Sequence, residues 1–159
     1  MSTLKISLRV SAQLWMNPER NKELLVLLVA HPEIVEVAFF TQWTHPVLPL
    51  GVIAERARIL KAVIPAYRAI GLRAGINHLS TVGHCDEDLD NALQEPCQHM
   101  VDSTGKVSGG VVCLSDERVQ EYIRQSYVLL TQAEPDFIWI DDDLRLEGHM
   151  PLGLSLIHI

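Results

Sequence analysis

Cysteine is scarce. Three cysteines in 159 residues give no disulfide framework, so stability has to come from an apolar core, and a reducing, cytoplasmic setting is the expectation. Long apolar runs are missing as well. The longest, Leu24 to Ala30, falls far short of a membrane span, and Met1 to Lys5 leads into strand-like sequence without the apolar core of a secretory signal. No basic cluster occurs and the formal charge is −7, which argues against nucleic acid or an anionic membrane as partner. Phosphate loops are absent too: Val107-Ser-Gly-Gly110 lacks the lysine and helix of a P-loop, and no stretch matches a dinucleotide fingerprint.

What is present is a 48% apolar, 21% charged chain, the composition of a globular domain. Its organising stretch is Phe137-Ile-Trp-Ile-Asp-Asp-Asp-Leu-Arg145. Strand formers there deliver three consecutive carboxylates and an arginine at the far end. A core has no use for Asp141, Asp142 and Asp143 together, because unpaired buried charge is costly. The carboxyl end of a parallel strand is their natural place, and ligands bind there in α/β sheets and barrels.

Upstream, Ile6 to Leu14 alternates apolar and polar residues, which predicts a strand. Asn17-Pro18 opens a helix as cap and first turn, with Leu24, Leu27 and Leu28 as its buried stripe, and His31-Pro32 closes it. Ile34 to Thr41 reads as a second strand. Ile53, Ala57, Leu60 and Ile64 lie on one helical face of the segment Val52 to Ile70, kinked at Pro65 and ended by Gly71. Arg73 to Leu79 is the third strand. Ser80 to Leu114 shows little periodicity, and so long a connection is usually functional or disordered. Ser115 is placed as the cap of a third helix ended by Pro135, and the organising stretch follows as the fourth strand.

This β-α-β-α-β-α-β order implies right-handed crossovers and a parallel sheet. One face of the first strand carries Ser7, Arg9, Ser11 and Gln13, Glu36 lies on the second strand and Asn77 on the third. Such a polar face suits the lumen of a barrel, with Arg9 and Glu36 paired inside it. The expected fold is therefore α/β, a truncated (βα)8 TIM barrel represented by its first four parallel strands. On that expectation residues 1–153 would be the amino-terminal half of a catalytic barrel whose other half lies outside this chain. Residues 154–159, Leu-Ser-Leu-Ile-His-Ile, resemble a translated sequencing-adapter end of the kind that closes truncated metagenomic reading frames.

Alternation puts Asp141 and Asp143 on one face with Trp139. Glycosidases use two carboxyl groups around an oxocarbenium-like transition state, and an aromatic face can stack on a sugar ring. The competing structural role is capping the next helix or pairing with Arg145 and Arg9. His78 stands just before the long connection, which holds His84, Cys85, Glu95, Cys97, His99 and Cys113. A metal could draw on Cys85, Cys97, His99 and Cys113, yet no paired short-spaced ligand motif is present. No metal or other cofactor is therefore expected, and a polar loop contacting substrate through His84, Glu95 and His99 is preferred. Asn77 and His78 close the third strand, and Trp43 and His45 the second, all placed to meet a sugar.

Lys5-Ile-Ser-Leu-Arg-Val10, Glu36-Val-Ala-Phe-Phe-Thr41, Gln94-Glu-Pro-Cys-Gln-His-Met100 and Ile138-Trp-Ile-Asp-Asp-Asp-Leu-Arg145 resemble the amino-terminal half of bacterial TIM-barrel glycoside hydrolases similar to β-galactosidase-like barrels. The resemblance implies hydrolysis of O-glycosidic bonds, a carbohydrate substrate, and a second catalytic carboxylate on a later strand, so that the fragment alone is inactive. The chain departs from those barrels where their fourth strand ends in Asn-Glu, since only aspartates stand there. Two alternatives are carried: a metal-dependent sugar isomerase or hydrolase using His78, His84 and the aspartates, and a non-catalytic carbohydrate-binding barrel.

Overall fold

The computed structural model describes residues 4–94 and 96–141. Strand β1 (Ile6–Val10) is followed by a single helical turn, α1 (Ala12–Trp15), and by helix α2 (Pro18–Val29). Then come β2 (Ile34–Phe40), α3 (Leu50–Ala69), β3 (Arg73–His78), β4 (His99–Val101), β5 (Val107–Val112), α4 (Glu117–Thr131) and β6 (Ile138–Ile140). Strands β1, β2, β3 and β6 form a parallel sheet in that order, and β4 and β5 form a separate antiparallel pair.

The alternation of β1 stops short of Leu14 because the Ser11 side chain accepts a hydrogen bond from the Gln13 backbone N–H and starts a helical turn. That turn swings Trp15 into the core, where its indole N–H donates to the Phe40 carbonyl at 2.9 Å. Asn17 caps α2 as its sequence position predicts, accepting from the N–H groups of Glu19 and Arg20, both at 3.1 Å. Of the expected leucine stripe only Leu28 is fully buried, and Leu27 is exposed. In α3 the stripe Ile53, Ala57, Leu60, Ile64 is buried throughout, extended by Tyr67, and the helix runs on through Pro65. Helix α4 is capped by Asp116 rather than Ser115. The Asp116 carboxylate accepts from the backbone N–H of Arg118 at 3.0 Å and of Gln98 at 2.6 Å, so it also ties the helix start to the segment before β4.

Helices α1 to α4 all pack on the same side of the sheet. Val10, Val37, Phe39, Ala74 and Ile76 share a single core with Trp15, Leu28, the α3 stripe, Val119, Tyr122 and Leu130. Phe39 holds Trp15 and Tyr67 edge-on, at ring separations of 6.3 and 4.9 Å.

The expectation of half a (βα)8 barrel is overturned. Among the described residues the parallel sheet is open, with β1 and β6 at its ends, and the connection from β3 to α4 builds a second sheet of its own. Polarity misled the sequence reading for a definite reason. A sheet face that no helix covers has the same alternating polar residues as a barrel lumen, and here that face carries no helix among the described residues. Arg9 and Glu36 share this face, as the register of Ser7 with Glu36 and of Arg9 with Ala38 requires, but they do not pair. Glu36 is bound instead by Arg73 on the neighbouring strand, at 3.0 Å.

The segment Ser80 to Leu114 is folded by its own polar side chains. Asp86 accepts from the Ser108 hydroxyl at 2.6 Å and from the N–H groups of Gly109 and Gly110, both at 2.9 Å. Asp102 accepts from the N–H groups of Thr104 and Lys106 and turns the chain between β4 and β5, with Gly105 at φ +86. Gly110 has a specific reason to be glycine: a side chain there would collide with the Cys85 carbonyl.

Candidate functional site

The register places two layers on the uncovered sheet face. Phe40 stands opposite Asn77, and Asn77 opposite Trp139. Two residues past Trp139, Asp141 returns to the same face as β6 ends, its N–H reaching the His78 carbonyl at 3.4 Å. Asn77 donates from Nδ2 to Asp141 Oδ2 at 2.8 Å, and the Arg9 guanidinium lies 3.7 Å from that oxygen. Arg9 also covers the rings of Phe40 and Trp139 at 5.5 and 5.7 Å, within cation–π range. Below this layer Phe137 packs against Trp139 at 5.3 Å, with Arg73 over its outer face at 5.1 Å. Asn77 is fully buried and Asp141 is 11% exposed, whereas half of the Arg9 side chain is open to solvent. The result is an aromatic shelf with a recessed amide–carboxylate pair and a half-exposed cation above it.

Alternation therefore brings Arg9, Asn77, Trp139 and Asp141 together, and it separates His78 from them. One residue beyond Asn77, His78 points to the helix side, completely buried. Its Nδ1 is 3.2 Å from the Thr41 hydroxyl and its ring meets Tyr127 edge-on at 5.3 Å. Burial pushes its pKa down to about 4, so the imidazole is neutral there. Its ring therefore lies in the core, on the opposite side of the sheet from Asn77 and the Trp139 shelf. Trp43 is half exposed, and its ring contact is with Arg56 of α3 at 5.6 Å, away from the Trp139 shelf. His99 sits on β4, opposite Val112 in the second sheet. Asp142, Asp143, Glu95 and Arg145 lie outside the described residues.

A second group forms where the loop after β2 meets the loop after β3. His45 Nδ1 lies 2.5 Å from Glu87 Oε2, and the Cys85 thiol is 3.7 Å from the same oxygen. The His84 ring is 5.3 Å from that of His45. The His45 hydrogen bond holds Glu87 below the ordinary carboxylate range, and burial, reinforced by the charges of Glu87 and Asp86, pushes the Cys85 thiol up. Among the described residues His45, Cys85 and Glu87 are the group of three whose ligating atoms converge, all within 4.8 Å of one another. The sequence-level metal set fares differently, since Cys97, His99 and Cys113 take no part in this group. Sequence reasoning also passed over Phe40, Phe137 and Glu87. The two phenylalanines are implied once the strand register is known, while Glu87 has no signal in the linear pattern.

Among the described residues no helix is long and apolar enough to cross a membrane. Compared with known proteins, the chain matches no family model, no curated protein and no solved structure.

Proposed function

We propose that the uncovered sheet face binds a carbohydrate, and that Asp141 is a carboxylate of a site acting on O-glycosidic bonds. The observation that carries this reading is the Trp139 shelf, with Asn77 and Asp141 joined at 2.8 Å at its edge. A pyranose ring presents a C–H face that packs on an aromatic plane and a rim of hydroxyls that need fixed donors and acceptors. Trp139, Phe137 and Phe40 supply the plane. Asn77, Asp141 and Arg9 supply an amide, a carboxylate and a guanidinium around it, the few converging polar groups that give an apolar site its orientation. The resemblance of the fourth-strand stretch to glycoside hydrolases points the same way. In such chemistry one carboxylate acts as nucleophile or base and a second as acid. Asp142 and Asp143 stand next in the chain, and a partner carboxylate on further sequence fits the same scheme.

Binding and chemistry are tested in one series. Tryptophan fluorescence is followed during titration with oligosaccharides of different sugars, in the parent chain and in Trp139→Ala and Trp43→Ala. Saturable quenching that weakens about tenfold in Trp139→Ala, a loss of about 1.4 kcal/mol, and persists in Trp43→Ala supports the reading. Failure of every sugar to bind, or equal binding by Trp139→Ala, rejects it. Where aryl-glycoside hydrolysis is measurable, Asp141→Asn lowers it by at least about a hundredfold.

A further inference from the structure

The second side-chain group lies outside the aromatic shelf and the carbohydrate reading does not use it. We infer that His45, Cys85 and Glu87 form a mononuclear site for a divalent transition metal of the zinc class. Imidazole, thiolate and carboxylate are the three ligand types zinc takes, and a site with three protein ligands leaves a fourth position for water. Bonds of about 2.0 to 2.3 Å in a tetrahedron place ligand atoms about 3.3 to 3.8 Å apart. The Cys85–Glu87 separation of 3.7 Å already falls in that interval. His45 Nδ1 and Glu87 Oε2 are hydrogen-bonded at 2.5 Å; a cation bound between them displaces the bridging proton to solvent, and the two atoms move apart by less than about 1 Å.

Both loops are held in place independently of any ion. The His45 carbonyl accepts from the Ser80 hydroxyl at 2.9 Å and from the His84 N–H at 3.1 Å. Next to it the Thr44 hydroxyl donates to Asp88 at 2.9 Å. On the other side the Cys85 carbonyl packs against the bare Cα of Gly110, and Asp86 is fixed by three donors of β5. His45 and Cys85 are half buried and Glu87 is exposed, so the site is partly desolvated and open to entry from solvent. When the metal–sulfur bond forms, the thiol proton leaves to solvent. The simplest competing account is a His45–Glu87 ion pair with a thiol nearby by chance.

Cobalt(II) separates the two, because a tetrahedral ion with a thiolate ligand has an ultraviolet sulfur-to-cobalt charge-transfer band and intense visible bands. The full chain is titrated with cobalt(II) alone, beside Cys85→Ser, His45→Gln, Glu87→Gln, Cys97→Ser and Cys113→Ser, with circular dichroism checking the fold of each. The inference expects one equivalent bound with both bands. The charge-transfer band disappears in Cys85→Ser, affinity falls at least about tenfold in His45→Gln and Glu87→Gln, and nothing changes in the other two cysteine variants. Should Cys85→Ser not fold, Glu87→Gln at its exposed position decides by the same affinity criterion. The inference is overturned if no such bands appear, if they survive in Cys85→Ser, or if they depend on Cys97 or Cys113. Sugar binding is read separately, so either result stands without the other.

Discussion

His78 is the residue whose chemistry and position disagree most. It closes β3 beside Asn77, yet the parity of a strand turns it into the core while Asn77 faces the shelf. A fully buried imidazole with a pKa lowered from 6.5 to about 4 makes stability depend on pH. The unfolded chain binds this proton more readily, so the contribution is complete above about 6.5 and is lost as pH falls towards 4, up to about 3 kcal/mol. Carboxylates lowered by their partners, such as Glu134 beside Lys61 and Asp136 beside Arg68, lose their contributions at lower pH. Between pH 6.5 and 5, above the range of these carboxylates, His78 therefore contributes a slope of its own. Urea unfolding at pH 7 and at pH 5 is expected to show a clear loss of stability in the parent chain and a flatter response in His78→Gln. A parent chain with equal stability at the two values contradicts the buried neutral imidazole.

At the scale of elements, one contact seats the lower part of the shelf on β3. Gly75, in the middle of β3, has no side chain because the Phe137 ring lies directly over it. Gly75→Ala forces that ring aside and breaks its packing on Trp139. The cost is about 1 to 2 kcal/mol of stability, together with a change in the near-ultraviolet circular dichroism of the aromatic cluster. Unchanged dichroism with a rise in melting temperature counts against the ring's position. The elements themselves were legible to different degrees. The cap of α2, the stripe of α3 and the four parallel strands follow from local periodicity and end signals, which act within a turn or a strand. The β4–β5 pair does not, since its strands are short, irregular in register and held by Asp86 and Asp102 rather than by an apolar pattern. Within the shelf, alternation placed Trp139 with Asp141, and the same rule applied to Asn77 and His78 separates them. The His45–Glu87 contact joins loops 42 residues apart, and no local rule reaches that far.

For the whole molecule, a sheet with its helices on one side leaves an aromatic and charged surface on the other. Salt bridges and cation–π contacts satisfy that surface at rest: Glu36 with Arg73, Arg73 with Phe137, Arg9 with Asp141 and Trp139. The Arg9 side chain is half exposed and its guanidinium stands 3.7 Å from Asp141, so moving it off the Trp139 ring costs a ligand little. The most direct measurement is a nitrogen-15 correlation spectrum of the intact chain titrated with the oligosaccharides. The account predicts that the Trp139 indole signal and the Asn77 side-chain amide shift together and saturate, while the buried Trp15 indole stays still. Shifts confined to Trp43, or none at any sugar concentration, contradict it.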